Sequence, residues 1–254
     1  MTEKRNPDAG PRGDVREAIE SAWPGGVVEM AFDSDESYFW DVHQKLAAAL
    51  GCLQGAQLVF EREPDGEPVW FEDSDPDEDP PDDLERSRSY HLFFVCPKGE
   101  EFTYETWIET PENPHAEEAG GIDPPMVTVA GHGRTGWSVA VSLLAPFAVV
   151  ALSDMDVFDD GSSSEPSIEP SGISETGEPV DMEAHFREAM GEQAFEILLE
   201  LRGRICGILE QSGICVLPEE EWGKPVPWLR ADEEVLAGMD GEVRVLDALF
   251  FEGL

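Results

Sequence analysis

Gly131-His132-Gly133-Arg134 is the stretch whose residue types most invite chemistry. A histidine can take or give a proton near neutral pH, and flanking glycines let a substrate approach it. Arg134 beside it is suited to hold an anion. The segment GHGRTG equally serves as a plain flexible connection between two strands, and nothing around it strengthens the catalytic reading. The chain has no GxSxG elbow, no HExxH or HxxxH and no GxxxxGK[ST] loop. His132 and Arg134 therefore stand as the runner-up pair, for an unrecognised hydrolase or transferase.

Two acidic clusters open like calcium loops. Asp73, Asp75 and Asp77 take the first three ligand positions, but Glu78 falls where glycine is needed and Leu84 where a bidentate glutamate belongs. Asp154, Asp156 and Glu165 fit positions one, three and twelve, with Phe158 and Asp159 at the two positions between that matter most. The five histidines and four cysteines show no zinc spacing. No metal and no cofactor is expected.

Partner binding is the stronger signal. The formal net charge is −40, from 56 carboxylates against 16 Lys and Arg. Such a field repels nucleic acid and anionic membranes and attracts basic proteins, most strongly at low salt. The charge peaks at DSDPDEDPPDDLE, residues 73 to 85, which contains no cation. Trp70, Phe71 and Trp107 fall in or beside the strands nearest this run. Rings supply buried area at an interface and acids steer the approach, so the expected partner site is Trp70, Phe71, Asp75, Asp77, Glu78, Asp79, Asp82, Asp83 and Trp107. The competing view makes those rings core and the acids plain solvated loop. A further view makes the acidity an adaptation to high salt. Only four lysines support it, but Glu outnumbers Asp.

The elements that would carry these residues follow from periodicity. A short helix is expected in DVREAIESAW, capped by Asp14, and a second over about 35–50, where Phe39, Val42, Leu46 and Leu50 recur at helical spacing. Strands are expected at 26–32, 57–63, 67–73, 89–97, 101–110, 125–131, 136–144 and 147–155. Lys98-Gly99-Glu100 reads as a tight connection that makes its two flanking strands pair antiparallel. Three prolines keep the acidic run extended. Phe186, Met190, Ala194, Ile197, Leu201, Ile205 and Ile208 predict one long helix from Asp181 to Ser212-Gly213. ICVLP reads as extended, PEEEW as a single helical turn, and EVRVLDALFF as a final strand.

With 41% hydrophobic residues the chain can bury a substantial core. The expected architecture is one α+β domain, a mainly antiparallel sheet of six to eight strands packed by the long helix and a shorter N-terminal one. Residues 1–13 form a tail, and 14–254 the domain, with an acidic loop at 73–88 and a flexible loop at 159–180. No signal peptide is read at the N-terminus, and Pro146 divides the longest apolar stretch, 139–152, which is short for a membrane span. Cys52, Cys96, Cys206 and Cys215, each in apolar sequence, read as buried reduced thiols, which suits a cytoplasm. The expected function is a non-enzymatic acidic module that neutralises a basic protein, in its most concrete form a bacterial toxin-immunity-like protein facing a nuclease toxin. The alternative binding mode is a DNA mimic that displaces nucleic acid from its binding protein.

Overall fold

In the computed structural model, residues 14–28, 36–62, 89–111, 126–159, 163–164, 166–168, 172–173, 179–180, 182–231 and 242–250 are described, with backbone alone for 36–41 and a few others. Helix α1 (Val15–Ala22) begins where the Asp14 side chain accepts from the Arg16 N–H at 2.9 Å. Strand β1 (Val27–Val28) and helix α2 (Glu36–Gly51) follow, then β2 (Ala56–Arg62), β3 (Tyr90–Pro97), β4 (Thr103–Pro111), β5 (Met126–Ser142) and β6 (Phe147–Phe158). Two short strands, β7 (Gly172–Ile173) and β8 (Pro179–Val180), pair with each other inside the stretch expected to be a loop. The chain continues through α3 (Met182–Met190), α4 (Glu192–Gln211), β9 (Cys215–Val216), α5 (Glu219–Trp222), β10 (Arg230–Ala231) and α6 (Val245–Leu249).

The main sheet has six strands in the order β2-β3-β5-β6-β9, with β4 also on β5. It is antiparallel except where β9 joins β6. The expected α+β fold with a mainly antiparallel sheet is what forms. One helix-bearing face buries Phe93, Val95, Trp137, Val139, Val150 and Leu152 against Leu46 and Leu50 of α2 and Phe195, Leu198, Leu201 and Ile205 of α4. The opposite face buries Leu92, Ala140, Val149 and Ala151 against Ile19, Trp23, Trp222 and the Val243–Phe250 segment. The alternation of β5 and β6 residues between these two faces explains their near-continuous apolar sequence.

Four expectations need correction. Residues 125–131 and 136–144 are not two strands but one, β5, 17 residues long, and GHGRTG lies in its middle. The strands β3 and β4 do not pair with each other. Both lie along the same edge of β5, β3 against Trp137–Ser142 and β4 against Met126–Arg134. The connection between them, with a 3₁₀ turn at Glu100–Phe102, steps the chain sideways instead of reversing it. The long helix is two, broken at Gly191, which takes φ +84°, a conformation that favours glycine. The final segment is helical. Asp247 accepts from the Arg244 N–H at 2.8 Å and from its guanidinium, so a local cap overrides the alternating pattern.

The step from β3 to β4 depends on Gly136. A Cβ there would lie 2.6 Å from the Val95 carbonyl oxygen and 2.8 Å from the Cys96 Cβ. Both neighbours belong to or sit directly on backbone, so they cannot swing aside. Gly136→Ala should cost about 1–3 kcal/mol through overpacking. Urea unfolding of the variant is the check, and an unchanged midpoint would show that the crossover relaxes freely.

Candidate functional site

The outer end of the sheet, formed by β4, the first half of β5 and the last residues of β6, carries six of the seven large apolar side chains exposed among the described residues. Trp107 is 70% exposed, Met126 55%, and Tyr104, Ile108, Val127 and Val157 are also exposed. Cross-strand register assigns their faces. Trp107 pairs with Ala130, Glu105 with His132, and Glu109 with Thr128, while His132 pairs with Val157 on its other side. These residues share one face, so Trp107 stands between two carboxylates with His132 and Val157 alongside. On the reverse face the Tyr104 ring covers Gly133, where a Cβ would come within 2.0 Å of it. The glycine is part of a cross-strand pair with an aromatic, not a hinge.

That geometry answers the sequence readings one by one. His132 is exposed and Arg134 half-buried, both in the interior of β5 and not on a loop. Their partners in register are Glu105 and Val157, and Thr103 and Met155. Trp107 is not core. Trp70, Phe71, Asp75, Asp77, Glu78, Asp79, Asp82 and Asp83 lie outside the described residues. Asp154 and Asp156 sit on β6, a conformation unlike a calcium loop. Asp154 accepts from the Thr135 hydroxyl at 2.6 Å and Asp156 from the Tyr104 hydroxyl at 3.2 Å. Burial pushes the Asp154 carboxyl up to about 6, against the opposing Thr135 hydrogen bond and with help from Asp156. Burial, with Asp154 and Asp156, also raises Tyr104 above its ordinary value. Among the described residues no group of three or more His, Cys, Asp or Glu is placed to hold a metal.

The chain matches no protein-family model, no curated protein and no solved structure.

A second constellation escaped sequence reasoning. His43 of α2 and His91 of β3 are 3% and 2% exposed, with their Nδ1 atoms 3.0 Å apart. One ring must donate and the other accept, so the contact fails when both are protonated. His91 stacks on Phe93, with ring centroids 4.2 Å apart, and its Nε2 lies 3.3 Å from Glu61 Oε1. Burial pulls His43 down to about 4, and burial together with His43 pulls His91 down to about 3. A cavity of about 30 Å³ touches His43, Ser142, Pro146 and Ile214, enough for a water and too small for a substrate. His43 lies three and seven residues before Leu46 and Leu50, a spacing that puts it on the core side of α2, but only the packing of α2 over β3 brings His91 to it.

None of the four cysteines is in a disulfide. Cys96 is buried and Cys206 and Cys215 are half-buried, but Cys52 is exposed just after α2, contrary to its apolar sequence context. Among the described residues no helix is long and apolar enough to cross a membrane.

Proposed function

We propose that this chain is a non-enzymatic binding protein that neutralises a basic protein partner, in the manner of a toxin-immunity protein in the cytoplasm, and that the face around Trp107 is part of its docking surface. The observation that carries the reading is Trp107, 70% exposed on a regular strand with Glu105 and Glu109 on either side. An indole held rigidly in water is costly to leave uncovered, and carboxylates around it select a cationic neighbour. The net charge of −40 adds long-range attraction for the same class of partner. A nuclease is the natural target, because its phosphate-binding cleft is positive.

The test has two stages. The tagged protein is first recovered from its native cells at low and at high salt, and a stoichiometric basic partner is identified. Binding of that purified partner is then measured with Trp107→Ala. Affinity should fall about tenfold or more, mainly through faster dissociation, and added salt should slow association. The absence of any stoichiometric partner at either salt, or unchanged affinity with the alanine variant, would reject the reading.

A further inference from the structure

Among the described residues, the strand that presents Trp107 is also an edge of the sheet. Among the described residues β4 pairs with β5 alone. The direction of its backbone groups follows from one hydrogen bond. The Asp159 N–H donates to the Ala130 carbonyl at 2.8 Å, so even-numbered residues of β5 turn their backbone toward β6 and odd-numbered ones toward β4. The Leu143 N–H donating to Ser89 on the β3 side, at 2.7 Å, obeys the same rule. In register, the β4 residues bonded to odd-numbered β5 positions are Tyr104, Thr106, Ile108 and Thr110. The backbones of Thr103, Glu105, Trp107 and Glu109 therefore point away from β5, where no other described strand lies.

We propose, building on the basic-partner reading, that this edge accepts an extended basic segment of the partner as an added antiparallel strand. Residues of the incoming strand opposite Glu105 and Glu109 would be Lys or Arg, spaced by four. The residue between them would pack a long side chain on Trp107. The alternate residues would be β-branched or apolar, meeting Tyr104 and Ile108 on the other face. Backbone bonds give such a complex its affinity and the alternating side chains its specificity. Opposite charges facing each other across strands add to this, and like charges subtract.

A second copy of this chain is a poor occupant. Antiparallel pairing of two β4 strands about Trp107 sets Glu105 against Glu109 twice, between chains that each carry −40. The same carboxylates that discourage self-pairing at an exposed edge thus select a cationic strand.

A nine-residue peptide alternating lysine and valine, with blocked ends, is the probe. In the proposed pose its lysine backbones bond to β4 and its lysine side chains face Glu105 and Glu109. N-methylation at the lysines should weaken binding about tenfold or more, while N-methylation at the valines should change it less than about twofold. Amide exchange at Glu105, Trp107 and Glu109 should slow on binding. Glu105→Gln should weaken the peptide about two- to fivefold, and Glu105→Pro by more, since it also removes an outward N–H without breaking a bond to β5. Absence of binding, equal binding by the two methylated forms, or unchanged exchange at those three amides each overturns strand addition. The basic-partner reading stands or falls separately, on recovery of the partner from cells.

Discussion

Acidification from pH 7 to 4 should remove stability through two side chains, His43 and His91. Both are neutral in the fold because burial holds them at about 4 and about 3, against 6.5 in an open chain. Between those values the unfolded chain binds more protons than the folded one, so stability falls as pH falls. The loss starts near pH 6.5 and is roughly 2 kcal/mol per ring by pH 5, since one pKa unit is worth about 1.4 kcal/mol. Asp154 acts in the opposite sense. Its carboxyl is raised from 3.8 to about 6, so the fold gains on acidification through that window and loses as pH rises through it. Relief of the general carboxylate repulsion also favours the fold in acid. One raised carboxyl offsets part of one histidine, and the two rings outweigh it.

The double variant His43→Leu with His91→Leu isolates the term. Replacing both members of a buried polar pair by apolar side chains is close to neutral at pH 7. Its unfolding free energy, measured in urea from pH 7 to 4, should lack the acid limb of the native chain. Parallel profiles for the two proteins would place the acid sensitivity elsewhere.

The largest single-residue effect is expected at Trp137. Its ring is 1% exposed under α4, its Nε1 donates to the Leu198 carbonyl at 2.8 Å, and the Arg202 guanidinium lies 5.5 Å from the ring centre. Arg202 in turn reaches Glu219 of α5 at 3.7 Å. Trp137 thus ties the centre of β5 to α4. Trp137→Ala empties that contact and should cost about 3–5 kcal/mol, a large part of the stability of a domain. Trp137→Phe keeps most of the apolar volume and loses the donor. The Leu198 carbonyl retains its bond within the helix, so the cost beyond lost volume should be near 1 kcal/mol. Guanidinium unfolding of both variants separates packing from hydrogen bonding. Equal losses would make the hydrogen bond, not the ring, the dominant contact.

Local signals were readable wherever a residue's neighbours in sequence decide its conformation. Asp14 caps α1, Gly213 takes φ +79° after α4, and Ile214 is buried behind it, with its N–H donating to Leu209 at 2.9 Å. Alternation along 101–110 places Tyr104 and Ile108 on one face and Trp107 on the other, and the register agrees. Reading failed where two segments far apart compete for the same space. GHGRTG looks like a connection because glycine breaks most strands. Here those glycines stand under the Tyr104 ring, beside Phe158 and at the crossover near Val95 and Cys96, contacts no local rule contains. The stripe from Phe186 to Ile208 gives no sign of the break at Gly191, because glycine is tolerated inside helical patterns.

By itself the sequence determined the charge of −40, the α+β class, where most of the main-sheet strands lie, the start of α1 and the end of α4, because each depends on composition or on residues a few positions apart. It did not determine that Trp107 is surface, that β4 is an edge among the described strands, or that His43 meets His91. Those depend on which strand lies beside which and on how α2 crosses β3, and both are settled by the packing of two apolar faces of one sheet.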